Sequence, residues 1–139
     1  MVHALDELHW ALQPDGRLID LRPLLDSWPI EVVWAGGQLK AGQAIDLDGP
    51  LGDDAAATSA MQAATRHGFV QETEETFSFF YYWDTPAEMR EHVDGEWDDV
   101  IRIEESAWQR LKSVWATSNA DARVRIRLKM HIARYRRTT

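Results

Sequence analysis

The sequence predicts an α+β fold, a mainly antiparallel sheet with helices packed on it, in a single domain over residues 1–139. Three observations predict it. Val124, Ile126, Leu128, Met130 and Ile132 alternate with Arg123, Arg125, Arg127, Lys129 and His131, the pattern of a strand with one dry and one wet, cationic face. Residues 69–83 form a second long extended run, in which Phe77, Phe79, Tyr81 and Trp83 share one face while Phe80 and Tyr82 share the other. Between and before these runs lie segments of helical period with recognisable starts and stops.

The elements follow in chain order. Leu5, Leu8 and Leu12 fall on one stripe of a helix over 3–12, which Pro14-Asp15-Gly16 ends with a turn. Residues 17–21 read as a strand closed by Arg22-Pro23. Pro29 introduces an extended run over 30–34. Gly36-Gly37 and Gly42 are expected to bracket a loop, with 43–47 returning as the hairpin partner. Residues 48–54 are polar and glycine-rich, a loop in which Asp53 or Asp54 stands where a cap belongs for an alanine-rich helix over 55–67, terminated by Gly68.

Asp84-Thr85-Pro86 stops the strand over 69–83. Thr85 with Glu88 makes a capping box, and Pro86 takes the first helical position, so a helix runs to about Trp97. A further helix over 104–118 carries Trp108, Leu111 and Trp115 on one stripe, with Glu104 and Glu105 at the end the helix dipole favours. Aromatic groups on both faces of 69–83 imply that its second half is covered on both sides. In the terminal strand Val124, Ile126, Leu128 and Met130 are expected in the core. The alternation fails at Ala133-Arg134-Tyr135, which implies a bulge or the strand's end.

Composition excludes several classes. The chain has no cysteine, hence no disulfide framework, thiol nucleophile or thiolate metal site. It has no apolar run long enough to span a bilayer and no signal-peptide pattern, so a soluble, cytoplasmic protein with no membrane partner is expected. The net charge of −8 is uneven: seven basic and no acidic residues follow Ala122, leaving eight basic against all 23 acidic residues before it, or −15. The basic residues alternate with apolar ones, as on a half-buried strand, and the acidic remainder repels a polyanion. No nucleic-acid partner is expected.

The chemistry-bearing residues form no complete motif. His3, His9, His67, His92 and His131 share no ligand spacing, and His131 is expected on the wet face of the last strand beside the basic groups. Glu72, Glu74 and Glu75, like Glu96, Asp98 and Asp99, lack the central-glycine loop of a calcium site. The first group is expected to face the arginines of 123–133 across a strand pair. No metal site and no catalytic residue is assigned. The aromatic set around Trp34 and 77–83 reads as core before it reads as a pocket.

Residues 4–18, Ala-Leu-Asp-Glu-Leu-His-Trp-Ala-Leu-Gln-Pro-Asp-Gly-Arg-Leu, resemble the "AL-x-E-[IL]-x-R-x-L-x-P-G-G-x-L" segment of class I S-adenosylmethionine-dependent methyltransferases. Leu5, Glu7, Leu8, Leu12, Pro14, Gly16 and Leu18 match. Trp10 stands where the family usually has arginine, and Asp15 replaces its first glycine. His67-Gly68-Phe69 resembles the turn into the family's sixth strand, and the terminal alternating strand resembles its seventh. The resemblance implies the C-terminal half of a Rossmann-like methyltransferase, with the last strand between the strands at 17–22 and 70–83 and antiparallel to both. It does not extend to the cofactor: no G-x-G-x-G run occurs, and Gly36-Gly37 has no helix N-terminus behind it.

The expectations for function follow from that gap. The chain is expected to be a methyltransferase-like, non-catalytic binding or assembly module with no cofactor of its own. The alternative is the substrate-binding half of an S-adenosylmethionine-dependent methyltransferase, active only with a missing or partner nucleotide-binding half. Met1-Val2-His3-Ala4 reads as the inside of a helix, which leaves a truncated longer protein open. A small-molecule site, if present, is expected between the 30–47 hairpin, the end of the 70–83 strand and the helix at Pro86. Its lining would be Trp34, Tyr82, Trp83 and Met89, with Arg22 as an anion contact. The strand at 18–21 lacks the neighbour it has in the family, so a homodimer is expected.

Overall fold

The computed structural model describes residues 2–24, 27–47 and 54–138, without the side chains of Val2 and Asp54. The 48–53 loop and the proposed caps Asp53 and Asp54 lie outside the described side chains, as does Met1. The elements are α1 (Val2–Ala11), β1 (Arg17–Pro23), β2 (Trp28–Trp34), β3 (Gly37–Asp46), α2 (Asp54–Gln62), a 3-10 turn (Ala64–His67), β4 (Phe69–Trp83), α3 (Pro86–Glu96), β5 (Ile101–Arg102), α4 (Glu105–Ala116) and β6 (Arg123–Arg137). Six strands form a mainly antiparallel sheet in the order β1-β6-β2-β3-β5, with β4 pairing to β6. The class is α+β, as expected. Among the described residues no helix is long and apolar enough to cross a membrane.

Backbone contacts divide the described residues into two compact units. The first holds 2–24, 54–77 and 130–138, and the second holds 27–47 and 78–129.

In the first unit α1 buries Leu5 and ends in a turn where Gly16 N donates to Gln13 O at 2.8 Å. Asp15 takes a φ of 62°, the one non-glycine residue described with a left-handed backbone. Aspartate tolerates that region better than most side chains. β1 pairs antiparallel with β6, with Leu18 opposite Tyr135, Asp20 opposite Ala133 and Arg22 opposite His131. The α-helix expected to reach His67 gives way after Gln62 and finishes as the 3-10 turn. Gly68 then reverses the chain at φ 78°, and a methyl group there would stand 2.5 Å from His9 Nε2. The core is Leu5, Ala60, Ala64, Phe69, Ala133 and Tyr135, with Leu12, Leu18 and Met61 at its border.

In the second unit β2 and β3 form the expected hairpin, but the loop is shorter than expected. Trp34 pairs with Gly37 across the two residues Ala35 and Gly36, so 37–42 is strand. Gly42 is there for a close approach rather than a loop, since a methyl group would meet Ala107 Cβ of α4 at 3.0 Å. β5, which pairs Ile45 with Arg102, is too short to show a period and was not anticipated. Half of the capping box forms: Thr85 Oγ1 accepts from Glu88 N at 3.2 Å, while Glu88 Oε2 reaches one residue past the cap and accepts from Asp84 N at 3.1 Å. Ile30, Val32, Met89, Leu111, Val124 and Ile126 are fully buried.

Three expectations about burial are corrected. The second half of β4 is not covered on both sides: Phe79, Tyr81 and Tyr82 are 43%, 39% and 41% exposed. One side is partly filled by rings, with Tyr81 and Trp83 packed edge-on against Trp97 at 4.7 and 5.8 Å, and on the other Phe80 and Tyr82 are only partly covered, by arginine side chains. The dry face of β6 passes from even to odd residues: Val124, Ile126 and Leu128 are buried, then His131, Ala133 and Tyr135. The strand therefore continues to Arg137, and Met130, expected in the core, is half-buried. For the same reason His131 is buried rather than on a wet face.

Candidate functional site

In the first unit, β1 and β6 bring together a polar cluster that periodicity hides. His131 lies with Nε2 3.6 Å from Asp20 Oδ2 and Nδ1 3.7 Å from Glu74 Oε1. Arg22 donates from Nε to Asp20 Oδ2 at 3.2 Å and from a terminal nitrogen to Thr58 Oγ1 at 2.8 Å. Burial, and then the charges of Asp20 and Glu74, hold the buried Tyr135 phenol above the ordinary tyrosine range, with Arg22 pulling the other way. The histidine distances exceed hydrogen-bond reach, and the Thr58 hydroxyl is already engaged. The cluster ties β1 to β6, β4 and α2. Arg22, the expected anion contact, is part of this tie.

The other side of β1 is different. Ile19 and Leu21 are 52% and 56% exposed. β6 is the one strand that pairs with β1 among the described residues, so its outer edge has no second strand. An apolar edge of this kind is a template for strand addition. On the wet flank of the same unit Glu72 draws Arg17, Arg134 and Arg136 to 3.5, 2.8 and 3.2 Å, a cross-strand charge pairing made with arginines outside the 123–133 range expected.

The second unit holds the other four expected lining residues and separates them. Trp34 borders a 340 Å³ cavity with Leu39, Val114 and Asn119. Trp83 borders another, of 440 Å³, with Glu88, Glu91, His92 and Glu96. Met89 is fully buried in the core beneath α3. Tyr82 points to the opposite face of β4 from Trp83, where Arg123 lies over its ring at 5.1 Å and Arg125 donates to its hydroxyl at 3.3 Å. These four do not form one pocket.

Sequence reasoning missed Glu31. It is 2% exposed, and Arg125 and Arg127 approach its carboxylate to 3.4 and 3.3 Å. Arg125 also lies over Phe80 at 4.3 Å and donates to Gln38 Oε1. The alternating Arg125 and Arg127 were the available signal, since two guanidiniums on one strand face attract a carboxylate from a neighbouring strand. Burial by itself would lower the Arg125 pKa, but its bonds to Tyr82 and Glu31 raise it above the ordinary value. Among the described residues no group of three or more histidine, aspartate or glutamate side chains is placed to hold a metal ion. No model of a known protein family matches the chain, and no curated protein matches it.

Proposed function

We propose that this chain is a methyltransferase-like module that binds and assembles, as a homodimer, and has no S-adenosylmethionine site of its own. The observation that carries the proposal is the strand order. The strand entered through the Pro14-Asp15-Gly16 turn and the strand entered through Gly68 both pair with the last strand, two neighbours the family resemblance implies for it, and β2 pairs with it as well. The turn geometry supports it further, because Asp15 occupies the family's first glycine position and has the left-handed φ that favours glycine there. Residues 4–18 and 67–69, which carry the resemblance in sequence, lie in the first unit, while the alternating strand is divided, 123–129 belonging to the second. The sequence has no G-x-G-x-G run, the element that would hold a dinucleotide-like cofactor.

A second reading, the substrate-side half of an enzyme completed by a nucleotide-binding chain, is favoured by one observation. β1 carries apolar side chains on both faces, Leu18 at the core border on the face it shares with Asp20 and Arg22, and Ile19 and Leu21 opposite, as a strand with neighbours on both sides would. Titration calorimetry with S-adenosylmethionine tests the first reading. The isolated chain is expected to give no binding heat at micromolar ligand, and a micromolar Kd would overturn it. Recovery of cofactor binding only with a second, co-purifying chain would favour the enzyme half.

A further inference from the structure

We propose that β1 is the seam of the dimer, with two copies adding β1 to β1 antiparallel about a two-fold axis through Leu21. This rests on the assembly reading above and supplies its geometry. When one strand pairs with its own copy about an axis normal to the sheet, residues on the same face must stand opposite each other. Position i then meets position j of the partner with i and j both odd or both even, which leaves few registers for a seven-residue strand.

Charge and apolarity choose among them. Centred on Asp20, the strand would set two carboxylates face to face and Leu18 against Arg22. Centred on Ile19, it would set Asp20 against Leu18 and Arg17 against Leu21. Centred on Leu21, it sets Leu21 against Leu21, Ile19 against Pro23, Leu18 against Leu24, and Asp20 and Arg22 crosswise. In this register each apolar residue from 18 to 24 meets an apolar one and each charge meets its opposite. Asp20 and Arg22 already touch at 3.2 Å within one copy, so four charges alternate around the axis. The exposed Leu21 then lies beside its own copy and the exposed Ile19 beside Pro23, so that both gain an apolar neighbour across the edge.

The chain has no cysteine, so a single introduced one reports the register. In Leu21→Cys the two Cα atoms would stand about 4.5–5.5 Å apart, within disulfide range. In Ile19→Cys they would stand about 13 Å apart along the strands. Leu39→Cys, equally exposed in the second unit, is the control. The wild-type chain is expected to sediment as a concentration-dependent dimer at micromolar protein. Oxidised Leu21→Cys is expected to cross-link roughly tenfold faster than either other variant, as disulfide geometry requires. Leu21→Lys, with its circular dichroism unchanged, is expected to sediment as a monomer. A 16.0 kDa species at all concentrations would overturn both the seam and the homodimer. A dimer in which Leu21→Cys gains no advantage would overturn the seam and leave assembly standing. Cofactor binding in the calorimeter bears on the methyltransferase-like reading alone.

Discussion

The two units bury sheet against helix with unequal means. The second unit contributes Ile30, Val32, Met89, Leu111, Val124 and Ile126 to the set of large, fully buried side chains, whereas the first contributes Phe69. Half of the first unit's core cluster is alanine: Ala60, Ala64 and Ala133. Since burial stabilises in proportion to apolar area, at about 25 cal/mol per Å², small side chains leave the first unit with the thinner margin. The same unit also exposes Ile19 and Leu21 on a strand with an open edge. The second unit has the larger buried side chains, while exposed apolar residues occur in both, among them Leu39, Phe79 and Tyr82 in the second. What sets the first unit apart is a core of small side chains beside exposed apolar residues on a strand whose outer edge has no second strand among the described residues.

Core truncation should expose the difference most strongly. Leu111→Ala, at a fully buried site enclosed by α4 and its sheet, is expected to lower stability by about 4–5 kcal/mol. Leu5→Ala, in a core of small residues at the start of the chain, is expected to lower it by about 2 kcal/mol, because the site collapses more readily. Urea denaturation measures both. Equal losses would show the first unit's core to be as complete as the second's.

The buried charges sharpen the contrast at smaller scale. Glu31 has a 3% exposed side chain and shares Arg125, itself 14% exposed, with Tyr82 and Gln38. Removing one partner of a buried pair leaves the other uncompensated, so Glu31→Ala is expected to destabilise by about 3 kcal/mol. Glu72 collects three arginines, but they are 58%, 44% and 37% exposed, and water screens them. Glu72→Ala is expected to change stability by about 1 kcal/mol or less. A double-mutant cycle with Arg125→Ala and with Arg134→Ala would report each coupling separately. A stronger coupling at Glu72 would reverse the ranking of the two networks.

What was legible in the sequence was local. The span of β4, Phe69–Trp83, and the Thr85–Pro86 start of α3 were readable because a period of two and a capping box are written in adjacent residues. The Gly36-Gly37 and Gly42 pattern misled, because a glycine admitting Ala107 of α4 looks the same in sequence as a glycine in a loop. His131 misled for a related reason. Its neighbours alternate as a wet face should, and only the elements that pack on the end of β6 decide which side is dry. The expected lining residues failed to converge because strand-end aromatics do not encode their neighbours: Trp34 and Trp83 border different cavities, and Met89 fills the core.

The smallest expected effect concerns Tyr135, the buried phenol at the base of the first unit's polar cluster. Its burial first, and then the Asp20 and Glu74 carboxylates, raise its pKa above the ordinary value, near 10. A group that holds its proton more tightly when folded stabilises the fold while protonated. The folded state then binds more protons than the unfolded one at pH values above the ordinary tyrosine range, and stability falls as pH rises through that window. Urea midpoints are therefore expected to decline in that alkaline window for the wild-type chain, and to decline less for Tyr135→Phe. Glu74→Gln is the gentler companion variant, since Glu74 is 56% exposed and its loss leaves the Arg22–Asp20 contact in place. It should move the phenolate absorbance change of Tyr135 to lower pH without abolishing it. A Tyr135→Phe profile parallel to wild type would mean that the phenol is as well hydrated folded as unfolded, and that the first unit is looser at its polar end than its burial indicates.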